Sequence, residues 1–205
     1  MQPQRLASDR FLLWIDAVGG FLVHLADAVV LGQPEPPGQA DVPILGDLSS
    51  RHARIRRDGE GYLVEALREV RIDGRRIEQA ALLSHGNVLQ LGGSVRLAFR
   101  RPHALSGTAR LDFVSRHRTQ PSVDAVLLMA DTLILGPGAR SHIVCPELRE
   151  EVVLYRAEDQ LHCRTQGAIE IDGTRCKDRG PIGLRSHVRG ERFALSLEPA
   201  WYNKG

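Results

Sequence analysis

Leu48-Ser49-Ser50-Arg51-His52-Ala53-Arg54-Ile55-Arg56 reads as a polar loop that runs straight into a strand. From Ala53 onward apolar and basic residues alternate, with Ala53 and Ile55 on one side and Arg54 and Arg56 on the other. A period of two marks a half-buried strand. The Ser-Ser-Arg group before it offers two hydroxyls and one guanidinium within three residues. Such donors hold a phosphate or a carboxylate, and no other stretch of the chain concentrates them so tightly. Upstream, Ala28-Val29-Val30-Leu31-Gly32 is an apolar run that ends in glycine.

The chain around this stretch is a series of short strands and turns. Residues 10–16 and 21–25 read as strands about a turn at Val18-Gly19-Gly20, and Asp41-Val42-Pro43-Ile44 as a short edge segment, because proline tolerates only edges. Asp58-Gly59-Glu60-Gly61 is a hairpin turn. Asp73-Gly74 supplies the positive φ angles of a type I′ turn. Residues 87–90 and 95–99 give two further strands. No segment sustains a helical apolar period. Closely spaced turn signals between short strands predict an antiparallel sandwich.

The second half repeats the plan. Leu133-Ile134-Leu135-Gly136 echoes Val29-Val30-Leu31-Gly32, and Ile171-Asp172-Gly173 echoes Ile72-Asp73-Gly74. Residues 148–156 line up with 48–56, which sets Val152 opposite His52 and Arg149 opposite Ser49. Residues 193–199 echo 95–102. Anchors in the same order indicate a repeat. The expected organisation is all-β, two tandem antiparallel sandwiches at 10–102 and 124–199, with 103–123 as a linker holding one extra strand.

Composition narrows the function. The 205 residues carry 27 basic and 25 acidic side chains, a net charge of +2, which lacks the dense basic footprint of a nucleic-acid binder. Three cysteines, Cys145, Cys163 and Cys176, are too few for a disulfide framework and read as reduced thiols. They lie near His142 and His162, but no Cys-x-x-Cys pair supports a metal site. The apolar start Phe11-Leu12-Leu13-Trp14-Ile15 is broken by Asp16 and Gly19-Gly20. It falls well short of the ~20 residues that span a bilayer. The expectation is a cytoplasmic protein with no membrane or nucleic-acid partner, no cofactor and no metal. No nucleophile, base or carboxylate pair has the context for catalysis.

A strand ending in glycine, a loop, then Ser-x-x-His opening another strand resembles the forkhead-associated (FHA) domain, an FHA/SMAD-like β-sandwich that reads phosphothreonine peptides through loops at one end. The resemblance implies roles residue by residue. Gly32 matches the family glycine and Gln33 stands where the phosphate-facing arginine is expected. Ser49 and His52 match Ser-x-x-His, Ser50 takes a position often basic, and Gly74 falls in the matching hairpin. Gly32, His52 and Gly74 would be structural. Gln33, Ser49, Ser50 and Arg51 would face the peptide, with Arg68 and Arg71 on the neighbouring loop. A charge-assisted arginine–phosphate bond is worth about 2 kcal/mol, so glutamine there costs about thirtyfold in affinity. In the second half Pro137 follows Gly136, and Glu150 and Glu151 would repel a phosphate.

Two readings follow. In the first, the chain is a non-enzymatic interaction module whose first domain binds a protein partner, with a phosphothreonine peptide as the candidate ligand. In the second, both domains are pseudo-FHA folds in a phosphate-independent scaffold that packs or self-associates along a sheet edge.

Overall fold

The computed structural model describes residues 9–200, apart from 60, 104 and 159. The strands of the first half are β1 (Arg10–Ile15), β2 (Gly19–His24), β3 (Ala28–Gly32), β4 (Val42–Leu45), β5 (Ala53–Asp58), β6 (Gly61–Ala66), β7 (Val70–Ile72), β8 (Arg75–Arg76), β9 (Ala80–Leu82), β10 (Val88–Leu91) and β11 (Val95–Arg100). Three lie between the halves and beyond: β12 (Ala109–Phe113), β13 (Arg118–Thr119) and β14 (Ala125–Leu128). The rest are β15 (Thr132–Gly136), β16 (Ile143–Val144), β17 (Val152–Ala157), β18 (Gln160–Arg164), β19 (Ile169–Ile171), β20 (Thr174–Cys176), β21 (Arg179–Ile182), β22 (His187–Arg189) and β23 (Ala194–Pro199). The fold is all-β, with no helix among the described residues.

Two small sheets pack on one long sheet. The order β13-β4-β3-β5-β6-β9 makes a six-stranded sheet, and β16-β15-β17-β18-β21 a five-stranded one. The long sheet has twelve strands, β20-β19-β22-β23-β1-β2-β14-β12-β11-β10-β7-β8. Two apolar cores result. One gathers Leu31, Ile55, Val64, Leu89, Leu97 and Phe99. The other gathers Leu133, Leu135, Leu154, Leu161, Val188 and Leu195.

The strand plan recurs in both units. β3 pairs with β4 in parallel and β5 antiparallel, as β15 does with β16 and β17. Asp73 and Gly74 have φ of 49° and 82°, Asp172 and Gly173 of 49° and 79°, so both hairpins make the positive-φ turn that Asp-Gly predicts. Each aspartate also accepts a backbone N–H across the sheet, Asp73 from Val88 and Asp172 from His187, both at 2.8 Å.

Register corrects one detail of the repeat. Leu31 faces Ala53 across the ladder, and its counterpart Leu135 faces Val152. Val152 is therefore the counterpart of Ala53, and Glu151, not Val152, that of His52. Three residues separate Leu148 from Val152, where four separate Leu48 from Ala53. The loop has lost a residue, and strand alternation beyond a loop carries no record of its length.

The strand order also departs from a division into contiguous halves at 10–102 and 124–199. β1 pairs with β23, the last strand of the second unit, over Phe11↔Pro199 to Ile15↔Leu195. β11, the last strand of the 10–102 segment, pairs with β12 instead. Each hairpin that precedes a small sheet thus completes the other unit: β1–β2 joins β23, and β12–β14 joins β11. They meet where β2 and β14 run parallel, Phe21↔Ala125 to His24↔Leu128. Residues 103–123, expected as a linker, supply β12 inside the long sheet. They also supply β13, which covers β4 so that Pro43 is not at an edge.

Central strands are buried on both faces. Phe21 and Val23 of β2 enter one core and Leu22 the other; Leu127 and Val126 of β14 divide likewise. Such strands need unbroken apolar runs rather than alternation, which accounts for Phe11-Leu12-Leu13 and Ala125-Val126-Leu127-Leu128. Side-chain bonds reinforce the joint. Arg110 donates to the His142 carbonyl at 2.9 Å, Thr108 to that of Thr132 at 2.6 Å, and Arg156 to that of Leu25 at 3.2 Å.

The exchange predicts that residues 28–128 melt cooperatively as a fragment, whereas 129–200 do so only when a peptide of residues 10–24 is supplied. Circular dichroism melts check this, and cooperative melting of 129–200 alone is the contrary result.

Acid should loosen the same joint. His24 at the end of β2 is 2% exposed, and its Nε2 has no partner among the described residues. Burial, with Arg10 nearby, lowers its pKa to about 3. Burial and then His103 lower that of His142 to about 4. Unfolded histidines titrate near ~6.5. As pH falls below that value the unfolded chain takes up protons first, and stability drops until the folded pKa values are reached. Urea unfolding at pH 7 and pH 5 should differ by about 3–4 kcal/mol, with about half of that loss absent in His24→Leu.

Candidate functional site

The loops at one end of the first unit are tied together by His52. The side chain is buried, 5% exposed. Its Nδ1 accepts the Ser49 N–H at 3.3 Å, and its Nε2 stands 2.9 Å from the Glu69 carbonyl, which fixes Nε2 as the protonated nitrogen. Its backbone carbonyl accepts the N–H groups of Leu67 and Arg68, at 3.2 and 2.9 Å. Gly92 donates to the same Glu69 carbonyl at 3.0 Å. One residue thereby joins the loop before β5, the loop after β6 and the turn after β10. Glu69 and Gly92 were not singled out from sequence, because they act through backbone atoms.

Gly32 is required by close approach. A Cβ there would lie 2.1 Å from the Ser50 carbonyl oxygen and 2.7 Å from that of Ser49. The serine loop rests directly on the end of β3, and the Gln33 N–H donates to the Ser49 carbonyl at 3.1 Å. Gly74 lies in its turn with open space around it, a conformational rather than a packing need.

The serines are held by their backbones, so their side chains remain available. Ser49 and Ser50 are half-buried, and neither hydroxyl has a hydrogen-bond partner among the described residues. Arg51 is exposed and likewise without a partner among them. Gln33 is half-buried beside this loop. The other two arginines are turned elsewhere. Arg68 donates to the Leu67 carbonyl at 2.8 Å. Arg71 gives both Nε and a terminal nitrogen to Glu69, at 3.1 and 2.9 Å. The structure brings Gln33, Ser49, Ser50 and Arg51 to one loop end and binds neither Arg68 nor Arg71 to the serine hydroxyls.

At the same place in the second unit lies a cleft of about 710 Å³, lined by the loops at 148–152, 165–170 and 189–193. Glu151, the counterpart of His52, is exposed, and its side chain makes no hydrogen bond or ion pair among the described residues. Elsewhere, Cys145 and Cys163 are buried, and burial pushes their thiols up to about 11 and about 12. No group of three or more histidine, cysteine or acidic side chains is placed to hold a metal among the described residues.

The FHA domain family model matches residues 29–92, from β3 to the turn after β10. Among solved structures, the FHA domain of the CT664 protein from Chlamydia trachomatis is 31% identical, over 40% of this chain and 89% of its own, with a TM-score of 0.31. EmbR from Mycobacterium tuberculosis, solved with a low-affinity phosphopeptide, is 23% identical over 45% of this chain and 24% of its own, with a TM-score of 0.34. The FhaA FHA domain, complexed with the intracellular domain of another protein, is 27% identical over 40% and 91%, with a TM-score of 0.29. No curated protein matches the chain. The first unit is a protein-interaction module built on a β-sandwich. The likeness to the FHA domain family lies in residues 29–92, within that unit.

His52→Ala removes both side-chain bonds, leaving the Ser49 N–H unpaired and the Glu69 carbonyl with the Gly92 N–H alone, at a cost of about 1–3 kcal/mol. Gly32→Ala should destabilise to a similar degree despite the small side chain, because backbone must move. Thermal melts measure the loss, and faster proteolysis within 48–52 should accompany it.

Proposed function

We propose that the first unit binds a phosphothreonine-bearing segment of a protein partner through Ser49, Ser50 and Arg51, as an interaction module rather than an enzyme. The observation that carries this is the pair of unpartnered hydroxyls on a loop whose backbone is pinned by His52 and Gly32. Two hydroxyl donors and an uncommitted guanidinium on a held loop suit a phosphate, since little order is lost on binding. The EmbR and FhaA structures, each solved with a bound partner, lend the reading analogy alone.

Affinity should be modest. Gln33 brings an amide where an arginine would bring charge, and Arg71 is already committed to Glu69. That commitment favours the second reading, a phosphate-independent scaffold. Titration of a phosphothreonine peptide library and its unphosphorylated twin against wild type, Ser49→Ala and Gln33→Arg separates the two. Preference for the phosphorylated form, weakened in Ser49→Ala and strengthened about thirtyfold in Gln33→Arg, is the expected result. Equal weak binding of both libraries to all three proteins would sink the phosphate reading.

A further inference from the structure

The cleft of the second unit is built from the same three loops that His52 ties shut in the first. The counterparts follow from register: 148–152 for 48–53, 165–169 for 66–70, and 190–193 for the turn after β10. Its apolar floor includes Leu148, Val152 and Ile169, all buried, with Phe193 half-buried beside them. Four arginines and four glutamates line it, among them Arg149, Arg192, Glu151 and Glu170. None of the eight makes an ion pair or side-chain hydrogen bond among the described residues. In the first unit Arg71, the counterpart of Glu170, is spent on Glu69 of the same loop.

We propose that this cleft is a second peptide site, for an unphosphorylated extended segment that places one apolar side chain on the floor and charges of both signs around it. Balanced lining charge matches a mixed-charge segment, while the glutamates oppose a phosphate dianion. The site also has a defined position relative to the first. Following the pairings from β11 through β12, β14, β2 and β1 to β23, the last strand runs in the same direction as the first. Both units therefore open their loops at the same end of the long sheet. Four strands lie between β11 and β23, about 24 Å along the sheet, and the two cores lie on its opposite faces, so the sites are farther apart than that. An extended connection must exceed about seven residues to bridge them. One partner chain can occupy both, the second contact resting on the reading of the first unit as a peptide site.

The test uses the full chain and a displayed library of random unphosphorylated peptides of about twelve residues. Selected peptides are titrated against wild type, Ala168→Trp, Arg149→Glu and Ser49→Ala. Ala168 and Arg149 are exposed residues of the cleft, so these changes fill it or reverse its charge without disturbing a core. The expected result is at least ~tenfold weaker binding to Ala168→Trp and Arg149→Glu, with Ser49→Ala unchanged. Failure to select any peptide, or equal binding to Ala168→Trp, overturns the proposal. So does a concentration-dependent mass that Ala168→Trp abolishes, which would assign the cleft to a second copy of this chain.

The second arm joins a selected peptide to a phosphothreonine peptide through linkers of about four or about fourteen residues. The longer should bind at least ~tenfold tighter. Equal affinity overturns the placement of the two sites. Loss of phosphothreonine binding alone would remove the reading of the first unit and leave the cleft to be decided by Ala168→Trp and Arg149→Glu.

Discussion

A strand that is apolar on both faces needs a core on either side of it. Strands β2 and β14 are such strands, and they sit side by side at the middle of the long sheet. Apolar burial stabilises by roughly 25 cal/mol per Å², so leaving one face of either strand in water would forfeit several side chains at once. The two sandwiches must therefore share a wall. That wall sets the relative orientation of the loop ends and removes the flexible joint that tandem domains usually have.

The first unit shows how such a scaffold presents a rigid polar loop. Its serine loop is fixed entirely through main-chain atoms and one imidazole, which leaves the hydroxyls outside the holding network. The second unit keeps the frame and omits the tie. A loop shortened by one residue turns a carboxylate outward where a histidine stood, and the space between the loops opens. The contrast separates the parts of the fold needed for closure, such as the Asp-Gly hairpins, from those that only shape the loop end.

Much of this was legible in the sequence, and the failures have physical causes. Asp73-Gly74 and Asp172-Gly173 announced their turns because few residues accept positive φ. Gly32 and His52 were legible through family resemblance, and contact distances then explained them. The one-residue shift at Glu151 was not legible, because a polar loop has no periodicity to count. The exchange of hairpins was not legible either: alternation identifies a strand, not its partner, and two equivalent hairpins compete for equivalent places. One signal was present. The unbroken apolar runs at 11–15 and 125–128 are what double-sided burial demands. The cleft left no mark, since it is made by what is missing between loops.

The pairing of β1 with β23 brings the two ends of the described chain together, with Arg10 Nε donating to the Ala200 carbonyl at 3.1 Å. In its connectivity the molecule is nearly a closed ring. Cut such a ring between residues 24 and 28 instead, join residue 200 to residue 9, and each spatial unit becomes one uninterrupted stretch of polypeptide. The linear order of the gene thus conceals a modular order in space. A circular permutant would write that order out directly, with neither hairpin crossing from one unit to the other.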